Sequence, residues 1–375
     1  MYLKDLVDIQ MGQSPDSKFY NYDKIGLPFY QGKADFGRIN PTPKIWCSKS
    51  KKEAKPNDIL ISVRAPVGDL NINNEQSCIG RGLAAITCRP DVDMMYLYYY
   101  LKYLKPQLKH ISTGSTFESI NRTQLENLII NYKPYLEQIK ISNILQVVER
   151  QIEVKENLLR LYDLLVKSRF VDLFGDIELN DRKWKKIKFG ELIKSANNGL
   201  ARRGNNKAGN IVLRLIELQE NLINYSDPNR ISLTDDEKKR YRLLEGDLLF
   251  ARVNGNPKNV GRCATFYEYG EQVYHNDHII RTSCDKSQLD SVFAAYLFNS
   301  EYGKNRISKK IKTSAGQYTI NQEGLKSIEI ILPPIVIQYS FAEFVKQINK
   351  LKSDVQKSID ETQLLMDSLM QEYFG

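Results

Sequence analysis

His275 and His278, three residues apart around Asn276-Asp277, are the pair in this 375-residue sequence that metal chemistry would use first. No third ligand stands nearby, so the two are expected as loop histidines on the surface. Asp181-Arg182-Lys183, with Asp163 or Asp172 upstream, has the spacing of a metal-dependent nuclease, but those acids fall on a predicted helix or its exit. Gly80-Arg81-Gly82 is too short to cradle a pyrophosphate. Leu332-Pro333-Pro334-Ile335 lacks both ends of the Asn/Asp-Pro-Pro-aromatic tetrad of amino-methyltransferases. No Ser or Cys carries a nucleophile motif beside His110 or the other histidines, and the five cysteines form no CxxC pair. The residues predict a chain without a catalytic constellation of its own.

Nucleic-acid chemistry is better served. One half of the chain carries Lys44, Lys49, Lys51, Lys52 and Lys55 around Trp46, then Arg64 and Arg81; the other carries Arg202, Arg203, Lys207, Arg252, Lys258 and Arg262. Gln13, Ser14 and Gln31 are interleaved in the first set, and Asn254, Asn256 and Asn259 in the second. Lysines suit phosphates, whereas Arg, Asn and Gln make paired hydrogen bonds to base edges. For any single one of these a solvated surface residue is the better reading; the weight lies in their recurrence at corresponding places. Those places are Arg64 to Gly68 after an apolar DILISV string, Arg252 to Gly261 after DLLFA, and the small polar segments Thr113 to Phe117 (with Ser115 and Thr116) and Thr313 to Gln317.

The elements that must position these loops come twice. Pairing each residue with the one 200 positions on (338 − 138) aligns residues 111–175 with 311–375 without a gap. It matches Ile120 with Ile320, Asn121 with Asn321, Pro134 with Pro334, Gln138 with Gln338, and Phe174-Gly175 with Phe374-Gly375. Residues 134–175 read as one long helix with a heptad seam of Ile141, Leu145, Val148, Ile152, Leu159, Tyr162 and Val166, which Lys155 interrupts. Residues 334–375 read as a second, with a seam of Phe341, Phe344, Ile348, Leu351, Val355, Leu365 and Leu369 that Ser358 and Thr362 soften. Each stripe is too long to leave in water, so the two helices are expected to pair antiparallel as a rod roughly 60 Å long. Before each helix lie short strands: a Phe29-Tyr30 strand fed by a turn around Gly26 and Pro28 within residues 24–32, then 57–63 and 84–88, and in the second half 211–218 and 247–253, where Phe250 and Arg252 share a parity. A tyrosine-rich helix over 94–104 has its counterpart over 291–298. The predicted class is α+β: two repeated strand-rich domains, 1–133 and 176–333, separated by the antiparallel coiled-coil pair 134–175 and 334–375.

With 42% hydrophobic and 26% charged residues the composition is that of a globular protein, and no run of 18 apolar residues exists. The start, MYLKDLVDIQMGQSP, lacks the pattern of a signal peptide, so a cytoplasmic protein without a membrane partner is expected. A net charge of +9 favours a polyanionic partner.

The doubled order, with NDILISVRAPVG (Asn57 to Gly68), GDLLFARVNG (Gly246 to Gly255), TGSTFESINRTQLENLIINYKPYLEQIKI (Thr113 to Ile141) and TINQEGLKSIEIILPPIVIQ (Thr319 to Gln338), resembles the specificity subunits of type I restriction-modification systems. The resemblance covers the whole chain. It implies two target-recognition domains that each read half of a bipartite double-stranded DNA site, with the helices as a ruler for the gap. It implies two methyltransferase subunits docked on the helices, and translocase/nuclease restriction subunits recruited through that core. No cofactor is then bound by this chain, while S-adenosylmethionine, ATP and Mg belong to the partners. The string IVLRLIELQEN (Ile211 to Asn221) adds Arg214 and Gln219 as contacts, with Gln31 and Lys33 as looser counterparts.

Overall fold

The structure, a computed structural model, describes residues 1–112, 118–314 and 316–375. Contacts gather the chain into two units, Met1–Asn157 with Gln356–Gly375, and Leu158–Val355. The division passes through the middle of both long helices. No helix among the described residues is long and apolar enough to cross a membrane.

The first unit is built on a four-stranded antiparallel sheet in the order Val7–Met11, Leu83–Cys88, Ile59–Ser62, Leu70–Ile72. Its central strand starts from a fixed turn. Asn57 takes φ 69°, and the buried Asp58 carboxylate accepts the Lys55 N–H and the Thr87 hydroxyl, both at 2.7 Å. That arrangement delivers Ile59–Ser62 into the core with every side chain buried. A second sheet contains Leu27–Tyr30 running parallel to Ser77–Ile79, with Phe29 beside Cys78 and Tyr30 beside Ile79. The helix Met94–Tyr103 covers the first sheet, and its tyrosines are core: Tyr96, Tyr98, Tyr99 and Tyr100 are all buried.

The second unit repeats the plan. Ile193–Asn198, Ile279–Cys284, Leu248–Ala251 and Cys263–Thr265 form a four-stranded sheet in the same order, Asn210–Leu213 runs parallel to Val273–His275, and the helix Ser291–Asn299 covers the sheet. The strand turn is reproduced with Gly246 at φ 83° where Asn57 stands, and with the Asp247 carboxylate accepting the Leu244 N–H at 2.7 Å. Glycine takes that left-handed conformation freely and asparagine tolerates it.

Three expectations are corrected. The strand predicted over 211–218 ends at Leu213, because the Glu217 carboxylate accepts the Arg214 backbone N–H and turns the chain. The polar segment Thr313 to Gln317 is no open loop: Lys312–Ser314 and Gln317–Thr319 pair as an antiparallel hairpin. His275, expected on the surface, is fully buried.

The long helices span Tyr135–Phe174 and Ile335–Phe374. In the first unit Ile141, Leu145 and Val148 share a core with Met366, Met370 and Phe374, and Ile152 is buried on the same seam. In the second, Val166, Phe170 and Phe174 meet Phe341, Val345 and Ile348, with Tyr162 and Phe344 at the edge. Asp163 pairs with Lys352 at 2.6 Å while Phe170 meets Phe341 at 5.3 Å between ring centroids, so the helices run antiparallel. Leu159 and Val355 are half-buried. Leu365 does not join the seam: it is 49% exposed and Met366 is buried in its place, as Leu351 is exposed beside half-buried Lys352. These leucines extend the row of Phe344 at intervals of seven, one residue before the true seam.

The repeated glutamines have one job. The Gln138 side chain, fully buried, accepts the Asp93 N–H at 2.9 Å and donates to the carbonyls of Lys133 at 2.8 Å and Asp91 at 3.3 Å. Gln338 accepts the Asp290 N–H at 2.9 Å and donates to Pro333 at 2.7 Å and Gln288 at 3.0 Å. Asp93 and Asp290 are the N-caps of the helices that cover the sheets. Each clamp therefore locks a long helix to the sheet-covering helix of the same repeat.

Candidate nucleic-acid interface

In the first unit the residues after strand Leu27–Tyr30 and those around Arg64 and Arg81 line one cleft of about 740 Å³. The cleft brings Gln31, Lys33, Arg64 and Arg81 together. It closes tightly at Gly82, where an added Cβ would stand 2.4 Å from the Gln31 carbonyl. Gln31 is exposed, and its backbone N–H is held by Asp35 Oδ2 at 2.7 Å. Ser14 accepts the Arg81 N–H at 3.3 Å, and the Gln13 N–H donates to Ile79 at 3.0 Å, so both adjoin the Arg81 turn. Lys33 is partly neutralised: Asp69 takes its ammonium at 2.8 Å and that of Lys105 at 2.6 Å. Burial alone would raise the Asp69 carboxyl pKa, and the two lysines outweigh it to hold the pKa below the usual value. Among the described residues no carboxylate lies within 4 Å of Arg64 or Arg81. Ser115 and Thr116 lie outside the described residues.

In the second unit a cavity of about 400 Å³ collects Arg202, Arg203 and Arg214 with Ile216, Asn229, Asn276 and His278. Every one of these arginines is held by an acid: Arg202 by Glu237 at 2.7 Å, Arg203 by Asp277 at 2.7 Å, and Arg214 by Glu217 through Nε at 3.0 Å and through Nη2. Arg203 also reaches His278 Nε2 at 3.0 Å. Burial, together with the Arg203 and Arg252 charges, outweighs Asp277 and lowers the His278 pKa, which favours the neutral ring.

Asn254, Asn256, Lys258 and Gln317 are not at that cavity. Asn254 lies on a strand paired with the hairpin strand that Gln317 begins. The Asn254 side chain accepts the Asn256 N–H at 2.9 Å and the Asn256 side chain the Lys258 N–H at 3.0 Å, so these amides shape a turn. Lys258 and Gln317 are exposed. Arg252 borders the cavity, since its N–H donates to the His278 carbonyl at 2.7 Å, and its buried Nε has no partner among the described residues.

The expected pairing of Arg64 with Arg252 is off by one residue. The Ile120 N–H donates to Val63 at 3.0 Å and the Ile320 N–H to Arg252 at 2.9 Å, so Arg252 stands where Val63 does, and Val253 where Arg64 does. A one-residue step along an extended strand reverses the face. Sequence reading also missed the acids Asp35, Asp69, Glu217, Glu237 and Asp277. Only the Arg214 and Glu217 spacing, three residues apart within a turn, offered a local signal.

A family profile described as the type I restriction modification DNA specificity domain matches residues 1–160 and again 181–362. The chain belongs to this family. Among relatives of this specificity-domain chain, a putative type I restriction enzyme MjaX specificity subunit of Methanocaldococcus jannaschii is 45% identical over 148 residues, 39% of this chain and 35% of that protein. The StySPI specificity subunit of Salmonella potsdam is 25% identical over 360 residues, 91% of this chain and 78% of that one. The fold matches the crystal structure of a type I restriction-modification S subunit from M. genitalium with a TM-score of 0.60, at 14% identity, over 100% of this chain and 95% of the other. The chain spans only about a third of the length of the M. jannaschii relative. Among the described residues no cluster of three or more His, Cys, Asp or Glu could hold a metal ion.

Proposed function

We propose that this chain is the non-catalytic, sequence-reading subunit of a type I restriction-modification complex. Each unit reads one half of a split double-stranded DNA site. The long helices set the gap between the half-sites and dock two methyltransferase subunits, through which translocase/nuclease subunits join. S-adenosylmethionine, ATP and Mg act on those partners, and the work is done in the cytoplasm. One observation carries this reading: the same sheet, helix clamp and polar cleft are built twice in one chain, yet the clefts present different side chains, Gln31 in one and Arg202, Arg203 and Arg214 in the other. One scaffold with two sets of hydrogen-bonding groups is what reading an asymmetric sequence requires.

Methylome sequencing of cells with and without this chain tests it. The expected result is adenine methylation at one bipartite motif that depends on the chain and on a co-expressed methyltransferase subunit. Methylation that is unchanged when the chain is removed, or a purified complex whose duplex binding ignores salt, would overturn the reading.

A further inference from the structure

The two clefts share one backbone position, which the sequence paired only loosely. In the first unit Tyr30 lies beside Ile79 on the parallel ladder, and its carbonyl accepts the Gly80 N–H at 2.8 Å. In the second, Leu213 lies beside His275, and its carbonyl accepts the Asn276 N–H at 3.0 Å. The next residue in each case, Gln31 or Arg214, leaves the strand and enters the cleft. In both, a carboxylate a few residues on accepts that residue's backbone N–H: Asp35 at 2.7 Å for Gln31, and Glu217 at 2.6 Å for Arg214.

We propose that this position is a base-reading position, with Gln31 selecting adenine in one half-site and Arg214 selecting guanine in the other. The proposal rests on the DNA-reading function given above.

Charge decides between a base and a phosphate. Gln31 is neutral, and Arg214 is matched by the buried carboxylate of Glu217. Neither position offers the uncompensated positive charge that displaces counterions from a phosphate. What both offer is a directed pair of hydrogen-bonding groups. The amide of Gln31 has one donor and one acceptor, which fit the N6 and N7 of adenine. Glu217 takes Arg214 Nε and one side of Nη2, the Asp227 carbonyl accepts from Nη2 at 3.4 Å, and Nη1 has no intramolecular partner among the described residues. Nη1 is thus left to donate outward, and exchanging the long 3.4 Å contact of Nη2 with the Asp227 carbonyl for a base lets the outer edge meet two adjacent acceptors, as O6 and N7 of guanine present them. Ile216, 73% exposed on the same turn, adds an apolar group where a base methyl or ring edge would lie and where a phosphate would gain nothing. Asp35 and Glu217 are positioning residues.

The test is selection from a randomised duplex DNA library by the full chain in complex with its methyltransferase partner. Gln31→Arg should exchange A·T for G·C at one position of one half-site, and Arg214→Gln should make the reverse exchange in the other. Each should shift the preference for the original base by roughly 10- to 100-fold and leave the opposite half-site unchanged. Glu217→Gln should relax the same base pair as Arg214→Gln and, by unmasking the Arg214 charge, steepen the salt dependence of binding, a result that a purely structural role would not give. Variants that weaken all sequences equally, or leave every base preference in place, overturn the proposal. Gln31 is exposed, so its variant stays informative if those at Arg214 and Glu217 lower stability. A wild-type complex that selects no sequence would instead overturn the DNA-reading function itself.

Discussion

Lys155 Nζ donates to Thr362 Oγ1 at 2.6 Å and to the Ser358 carbonyl at 3.1 Å, so the one charged interruption in the first helical seam faces the two polar interruptions in the second. An isolated polar residue in an apolar seam would cost stability; matched across the pair, these three satisfy one another and fix the register. Lys155→Ala should cost about 1 kcal/mol in thermal or urea unfolding. Lys155→Leu combined with Thr362→Leu should recover that loss and add roughly 1 kcal/mol, while size-exclusion chromatography should show new self-association as register control is lost.

The glutamine clamps should behave alike. Gln138→Ala and Gln338→Ala each strand a buried N–H and two carbonyls, for which a loss of about 2–4 kcal/mol is expected. Limited proteolysis should show cleavage rising in the first unit for one variant and in the second for the other. Equal cleavage of both units by either variant would contradict the local role.

His275 gives a pH dependence with a definite sign. Its imidazole is fully buried, with Nδ1 against the Tyr241 carbonyl at 3.1 Å, and burial pushes its pKa down from 6.5 to about 4. The folded state thus holds the neutral ring while the unfolded chain takes a proton below pH 6.5. The full stability is present above pH 6.5 and is lost as pH falls from there toward 4, by up to roughly 3 kcal/mol. The His275→Gln variant should lose less stability across that window in pH-dependent unfolding.

Arg64 and Arg81, with no carboxylate within 4 Å among the described residues, are suited to phosphates. Alanine at either should weaken duplex binding evenly across sequences and reduce the slope of log K against log salt by about 1. Base preference should not change, in contrast to the Gln31 and Arg214 variants.

The ruler reading makes a length prediction. Seven residues inserted at facing points of both long helices add about 10 Å of rise, near three base pairs of duplex. Methylation should move to sites with a longer gap and unchanged half-sites. A double insertion that still methylates the original spacing would sink the idea, and insertion in one helix alone should unfold the pairing.

The duplication, the long helices and their heptad character were legible because they rest on matches at one constant interval and on apolar periodicity. The strand regions were harder. Gln31 and Arg214 stand 183 apart (214 − 31) and Asp58 and Asp247 189 apart (247 − 58), while the helices repeat at 200 (338 − 138), so the differences in length left Gln31 only a loose counterpart of Arg214 in the sequence. A one-residue error paired Arg64 with Arg252. Leu365 was assigned to the seam because the polar break at Ser358 and Thr362 conceals the phase, and only contact with the partner helix places Met366 there. Apart from Glu217, three residues from Arg214, the acids that hold the arginines come from distant turns, beyond the reach of local spacing.

Phe374 packs at 5.4 Å from the Tyr96 ring and 4.9 Å from Tyr100, in the first unit, while Phe174 packs at 4.6 Å from Phe293, in the second. Each repeat thus ends by sealing the other repeat's core. A single copy of the repeat, expressed by itself, would have an unsealed core and could satisfy it only by exchanging helix ends with a second copy. The duplicated chain has the topology of a helix-swapped homodimer joined into one polypeptide, a form in which the two reading surfaces became free to diverge without losing their common frame.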